Sequence, residues 1–126
     1  MILPVAKSVY ICDWYVVDGS GKVTLSGLIN SIRAEAGYPH VQDRFCLFAQ
    51  LSGGLGKVPF FFDIRRASDQ LLVHTTGTRY LTFPRRDAIV QVAVTIAGCR
   101  FESAGSYIVD LMCDNMWVAD SRILLR

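Results

Sequence analysis

The sequence is short of charge, of histidine and of long apolar runs, and each shortage removes a class of function. Charged residues make up 19% of the 126 residues against 52% apolar, and the net charge is +2. A near-neutral chain lacks the basic footprint of a general nucleic-acid or anionic-membrane binder. The pairs Arg65-Arg66 and Arg85-Arg86 are too short to supply one and read as solvated strand ends. Nowhere do about 18 apolar residues run uninterrupted, so no membrane-spanning helix is expected. Ala88–Cys99, AIVQVAVTIAGC, comes nearest, but it is too short and carries Gln91 and Thr95. The N-terminus, MILPVAKSVYICDWYVV, does not read as a signal peptide: it has no basic start, and Lys7 and Asp13 interrupt its apolar residues. The expected location is cytoplasmic.

Motifs are equally sparse. The cysteines, Cys12, Cys46, Cys99 and Cys113, show no CxxC spacing and lie in or beside apolar runs, so they read as reduced, buried small hydrophobes. His40 and His74 are the only imidazoles, and no zinc or other metal site is expected. The aspartates are scattered singly, without the D-x-D clustering of a calcium loop. Ser52–Lys57, SGGLGK, resembles a phosphate loop only superficially. Leu51 stands where its first glycine belongs, Val58 where Ser or Thr belongs, and a strand follows where a helix is required. No GxGxxG, HExxH or GxSxG occurs. The expectation is a protein that is not an enzyme, with no catalytic residues and no cofactor.

What is present is strand signal. Ser8–Val17, Lys22–Ile32, Arg44–Leu51, Val58–Arg65, Leu71–Thr75, Arg79–Phe83 and Ala88–Ala97 are β-branched or aromatic and are separated by glycine, proline and aspartate turns. In Val58–Arg65 the pattern points Val58, Phe60, Phe62 and Ile64 inward, and Pro59 suggests an edge strand or a strand start. Ala88–Ala97 is apolar on both parities and reads as a doubly covered central strand. The phase change at Ser26-Gly27 suggests a β-bulge. Gly105–Leu125 is the closing hairpin; a three-residue loop, Cys113–Asn115, pairs Leu111 with Trp117, Val109 with Ala119 and Tyr107 with Ser121, gathering one apolar face. Ala34–Asp43 reads as loop.

A chain of this length is one domain, residues 1–126, able to bury roughly 65–70% of its unfolded surface. The fold class is all-β: an antiparallel two-sheet β-sandwich of eight or nine strands with a C-terminal hairpin.

Ile11-Cys12-Asp13, followed by Gly21-Lys22-Val23 and Gly27, resembles the opening of a family of small, uncharacterised bacterial β-sandwich proteins, a domain of unknown function. Phe101 and Gly105-x-Tyr107-x-Val109 before a last hairpin are similar too. Val23 stands where Leu is usual. The resemblance implies a fold and carries no activity onto any residue.

The high apolar fraction without a catalytic constellation points to a non-enzymatic protein-interaction or assembly module, with a protein partner or self-association expected and no nucleic acid or membrane. The alternative is a small-ligand or carbohydrate-binding sandwich using loops 34–43 and 52–57 at one end, with Tyr38, His40 and Lys57 as candidate contacts. Asp13 joins them as a carboxylate in an otherwise apolar strand, expected to lie on an edge or to bond a neighbouring loop's N–H groups.

Overall fold

The computed structural model describes residues 1–126 and contains no helix. Its strands are β1 (Val5–Ala6), β2 (Tyr10–Val17), β3 (Val23–Leu28), β4 (Ser31–Ile32), β5 (His40–Ser52), β6 (Gly56–Arg66), β7 (Leu72–Thr75), β8 (Arg79–Phe83), β9 (Ile89–Phe101), β10 (Gly105–Cys113) and β11 (Met116–Leu125).

They form two sheets. In the first, β5 runs through the middle, β9 pairs along its whole length, β1 and then β2 pair on its other side, and β3 lies beyond β2. In the second, the order is β4-β11-β10-β6, and β7 and β8 share the far side of β6. Every pairing is antiparallel except the short β4–β11 contact.

Period-two alternation explains the core. Phe45, Leu47, Ala49 and Leu51 of β5 and Val92, Val94 and Ile96 of β9 face Val58, Phe60, Phe62 and Ile64 of β6 and Tyr107, Val109, Leu111 and Cys113 of β10. All are buried. Truncating a ring such as that of Phe62 to alanine is a change that costs about 3–5 kcal/mol. Tyr107 packs edge-on against Phe101 at 4.9 Å and donates its hydroxyl to the Ser103 carbonyl at 2.7 Å, so its one polar atom is satisfied.

Five expectations are corrected. There are eleven strands, because β1 and β4 are two-residue pieces with no sequence signature and β5 begins at His40, inside the expected loop. The final hairpin turns on two residues, Asp114 and Asn115, both at positive φ, and a bulge at Val118 then shifts the register. Leu111 therefore pairs with Ala119, Val109 with Ser121 and Tyr107 with Ile123, and Trp117 faces outward. Pro59 lies in a strand paired on both sides. Its missing N–H falls on the side of its own carbonyl, which accepts from Asp114 N at 2.9 Å in the turn, beyond the end of the β10 ladder. β9 hydrogen-bonds only β5 and is a sheet edge; Ala93 and Ala97, read as apolar, are small residues on its outer side. The β2–β3 register is unbroken at Gly27, so no bulge exists there.

Candidate functional site

On β5, the residues alternating with the core set are Arg44, Cys46, Phe48, Gln50 and Ser52. The register lays Tyr10 opposite Phe48, Cys12 opposite Cys46 and Leu28 opposite Cys12; Ala93 and Thr95 flank from β9. The middle of this sheet's outer face, around Tyr10, Cys12, Leu28, Cys46, Phe48 and Ala93, is therefore apolar, with Arg44, Gln50 and Thr95 around it. Cys12, Cys46 and Phe48 are buried yet belong to none of the core cluster. Around them Tyr10, Trp14, Val16 and Leu28 are exposed, Leu28 by 67% and Trp14 by 47%. At the other end of the face Val5 and Ile89 are exposed on either side of Ser52.

Two clefts flank Tyr10. One of about 350 Å³ is bordered by Val5, Lys7, Gln50, Ser52 and Ile89. The other, of about 250 Å³, is bordered by Leu28, Ile29, Asn30 and Ser121.

After Cys12, β2 leaves β5 and continues as an arm. Trp14–Val17 pair only with Val23–Ser26, and no residue from Asp13 to Gly27 is buried. Trp14 and Val16 occupy one face of this arm; Tyr15, Val17, Val23 and Leu25 occupy the other. A lone two-stranded hairpin is marginal in water, and this one exposes apolar side chains on both faces. The accessible surface of the chain, 7087 Å², exceeds the roughly 6,700 Å² usual for this mass, the direction a projecting arm gives. The arm's tip is ordered by Asp18, whose Oδ1 accepts from Ser20 N at 2.8 Å, Ser20 Oγ at 2.6 Å and Lys22 N at 3.0 Å. The Ser20 hydroxyl, with those N–H groups, holds the Asp18 carboxyl below its usual range.

The structure separates the sequence-predicted contacts. Tyr38 and His40 lie at the start of β5 and the Ser52–Lys57 connection at its far end, twelve residue steps away, roughly 40 Å along the strand. One ligand cannot touch both loops. Tyr38 packs against the core, and its hydroxyl is buried without a partner. His40 Nε2 is 2.9 Å from Gln42 Oε1. The Lys57 ammonium sits 4.6 Å over the Tyr80 ring, an internal cation–π contact. Asp13 is exposed, so no buried charge has to be explained. It lies opposite Gly27, whose φ is +69° and where a Cβ would meet Asp13 Oδ2 at 2.3 Å. The Asp13–Gly27 spacing is thus a close cross-strand fit.

All four cysteines are free and buried. Burial alone pushes the Cys99 and Cys113 thiols up to about 11. The Cys12 thiol is raised by burial first, then by Cys46 and Asp13 beside it. Cys46 Sγ lies 3.6 Å from Thr95 Oγ1 and 3.8 Å from the Asp13 carbonyl oxygen. Sequence reading missed this pair because a β2–β5 contact spans 34 positions (46 − 12) and no local pattern encodes it. The usable signal was β2 itself, apolar on both faces and so requiring cover on both.

The outer face of the second sheet differs. Asp63, Asp110 and Asp120 stand in one cross-strand row, with Arg65 bonded to Asp110. No cluster of three or more histidine, cysteine, aspartate or glutamate side chains is arranged to hold a metal ion.

Two sheets and a terminal hairpin match the fold that the resemblance implied, and the model for DUF6941, a family of unknown function, matches residues 7–126. The chain belongs to this family. No curated protein matches it in sequence. Among solved structures, the DUF6941 chain is similar to the Pseudomonas fluorescens alkylpurine DNA glycosylase AlkC, bound to DNA containing an abasic site analog. The TM-score is 0.54 at 12% identity, over 94% of this chain and 30% of that one. At such identity the likeness shows the fold alone, and the DUF6941 chain spans under a third of the glycosylase's length. No helix here is long and apolar enough to cross a membrane.

Proposed function

We propose that this DUF6941 chain is a non-enzymatic protein-interaction or assembly module whose contact surface is the outer face of the first sheet together with the β2–β3 arm. The observation that carries this reading is the arm: a hairpin with no buried residue and apolar side chains on both faces. Such a surface is stabilised when a partner removes it from water, at about 25 cal/mol per Å². The net charge of +2 supports a protein partner over nucleic acid.

The test is sedimentation velocity over a wide concentration range, with capture of the tagged protein from its host and mass spectrometry of what accompanies it. The wild type is expected to self-associate or to bring down one stoichiometric companion. A Trp14→Asp/Leu28→Asp variant with an unchanged circular dichroism spectrum loses that association. A strictly monomeric wild type that retrieves nothing overturns the reading.

A small-ligand reading survives in altered form. The cleft beside Tyr10, Gln50 and Ile89 is of ligand size, whereas the two loops are too far apart. A thermal-shift screen in which hits disappear on Tyr10→Ala supports it, and a screen without hits counts against it.

A further inference from the structure

We infer that Cys12 and Cys46 are a modification site: a dithiol that closes to a cross-strand disulfide and pins the root of the arm to β5. The two residues are direct partners on neighbouring antiparallel strands. Such partners have Cα atoms about 4.5–5.5 Å apart, inside the roughly 4.4–6.8 Å that a disulfide spans. Direct opposition also places both side chains on the same face of the sheet. They are the two cysteines outside the core cluster; Cys99 and Cys113 are inside it.

Position gives the bond its consequence. Cys12 is the last residue of β2 that pairs with β5, and everything from Asp13 to Gly27 hangs beyond it. A covalent link at this point limits how far the arm swings or frays. That consequence rests on the arm being a contact surface; formation of the bond does not.

The chemistry needs a two-electron oxidant, and a hydroperoxide suffices. One thiolate attacks the hydrogen peroxide O–O bond, forming a sulfenic acid and releasing water once the leaving hydroxide takes up the thiol's proton. The second sulfur then attacks the sulfenic sulfur. The S–S bond forms, the S–O bond breaks and the departing hydroxide leaves as water with the second thiol proton. Two thiols and one peroxide give one disulfide and two waters. Cys12 is 0% and Cys46 2% exposed, so the rate is set by opening of the arm's root.

The four cysteines fall in four different tryptic peptides, which makes the test direct. Reduced native protein is treated with hydrogen peroxide, then denatured and alkylated. The expected product has lost two hydrogens, about 2 Da, carries two alkyl groups in place of four, and joins Ser8–Lys22 to Phe45–Lys57. Four alkyl groups, a sulfinic acid on either residue, or a link through Cys99 or Cys113 would each overturn the proposal. Refolding the reduced chain in glutathione and glutathione disulfide removes access as a limit, and absence of the same link there overturns it too. The Cys46→Ser variant is expected to give no internal cross-link. Amide exchange over Trp14–Ser26 should slow at least several-fold in the bridged form. If the bond forms while neither form associates with anything, the modification site stands and the contact-surface reading falls.

Discussion

Arg65→Met should cost far more than the partial exposure of this residue suggests. Asp110 is 3% exposed and sits mid-sheet between Asp63 and Asp120, its direct neighbours on β6 and β11. Arg65 lies on the diagonal and donates to Asp110 Oδ2 from Nε at 2.7 Å and Nη2 at 2.6 Å, while Oδ1 is buried without a partner. Methionine keeps most of the apolar stem and removes the cation. Breaking a buried pair from one side costs about 3–5 kcal/mol. Because 31% of the Arg65 side chain is exposed and water reaches it, the low end, about 3 kcal/mol, applies. At about 2.1 cal/mol/K per residue the unfolding entropy here is roughly 260 cal/mol/K, so Tm falls by about 11 °C. Asp110→Leu leaves an arginine that water can solvate and costs about 1 kcal/mol or less. The double variant, with both charges gone, should unfold within about 1 kcal/mol of the wild type. The assay is a double-mutant cycle by urea and thermal unfolding, with an expected coupling of at least about 2 kcal/mol. Additive single effects, with Arg65→Met below about 1 kcal/mol, would refute the claim that the buried carboxylate depends on its cation.

Gly27→Ala should weaken the arm by about 1–2 kcal/mol, read from amide exchange at Trp14–Ser26. Asp13→Ala should not restore it, because the cost lies in the left-handed backbone and the Asp13 tip can move aside. Tyr107→Phe removes the hydrogen bond to the Ser103 carbonyl and should cost about 1 kcal/mol, near 4 °C in Tm. Cys99 and Cys113 hold their protons more tightly folded than unfolded, so their contribution is complete below their ordinary value of 9.0 and is lost as pH rises through about 11. The urea midpoint should therefore fall over that window, and less steeply in a Cys99→Ala/Cys113→Ala variant.

The legible parts of the fold are those that local pattern controls. Val58, Phe60, Phe62 and Ile64 alternate against polar or paired neighbours, and all four are buried as the period requires. Asn115 announced a left-handed turn, but the register of that hairpin depends on a bulge at Val118, and a bulge is one extra residue that neither composition nor period marks. β9 misled because alanine counts as apolar whether or not anything covers it. The proposed contact loops failed for a geometric reason. Both flank β5 in sequence, and a strand of thirteen residues holds its two ends apart.

The amino-acid order alone determined that this chain is all-β, that most of its strands fall near the observed places and which side chains of β6 and β10 enter the core, because each depends on neighbours within a few residues. Only the tertiary structure decided which sheet face is left apolar, that residues 13–27 project beyond the sandwich, and that Cys12 meets Cys46. Those outcomes depend on pairings between strands far apart in the chain. The free energy of such a pairing is shared among all the residues of both strands, so no single segment carries its signature.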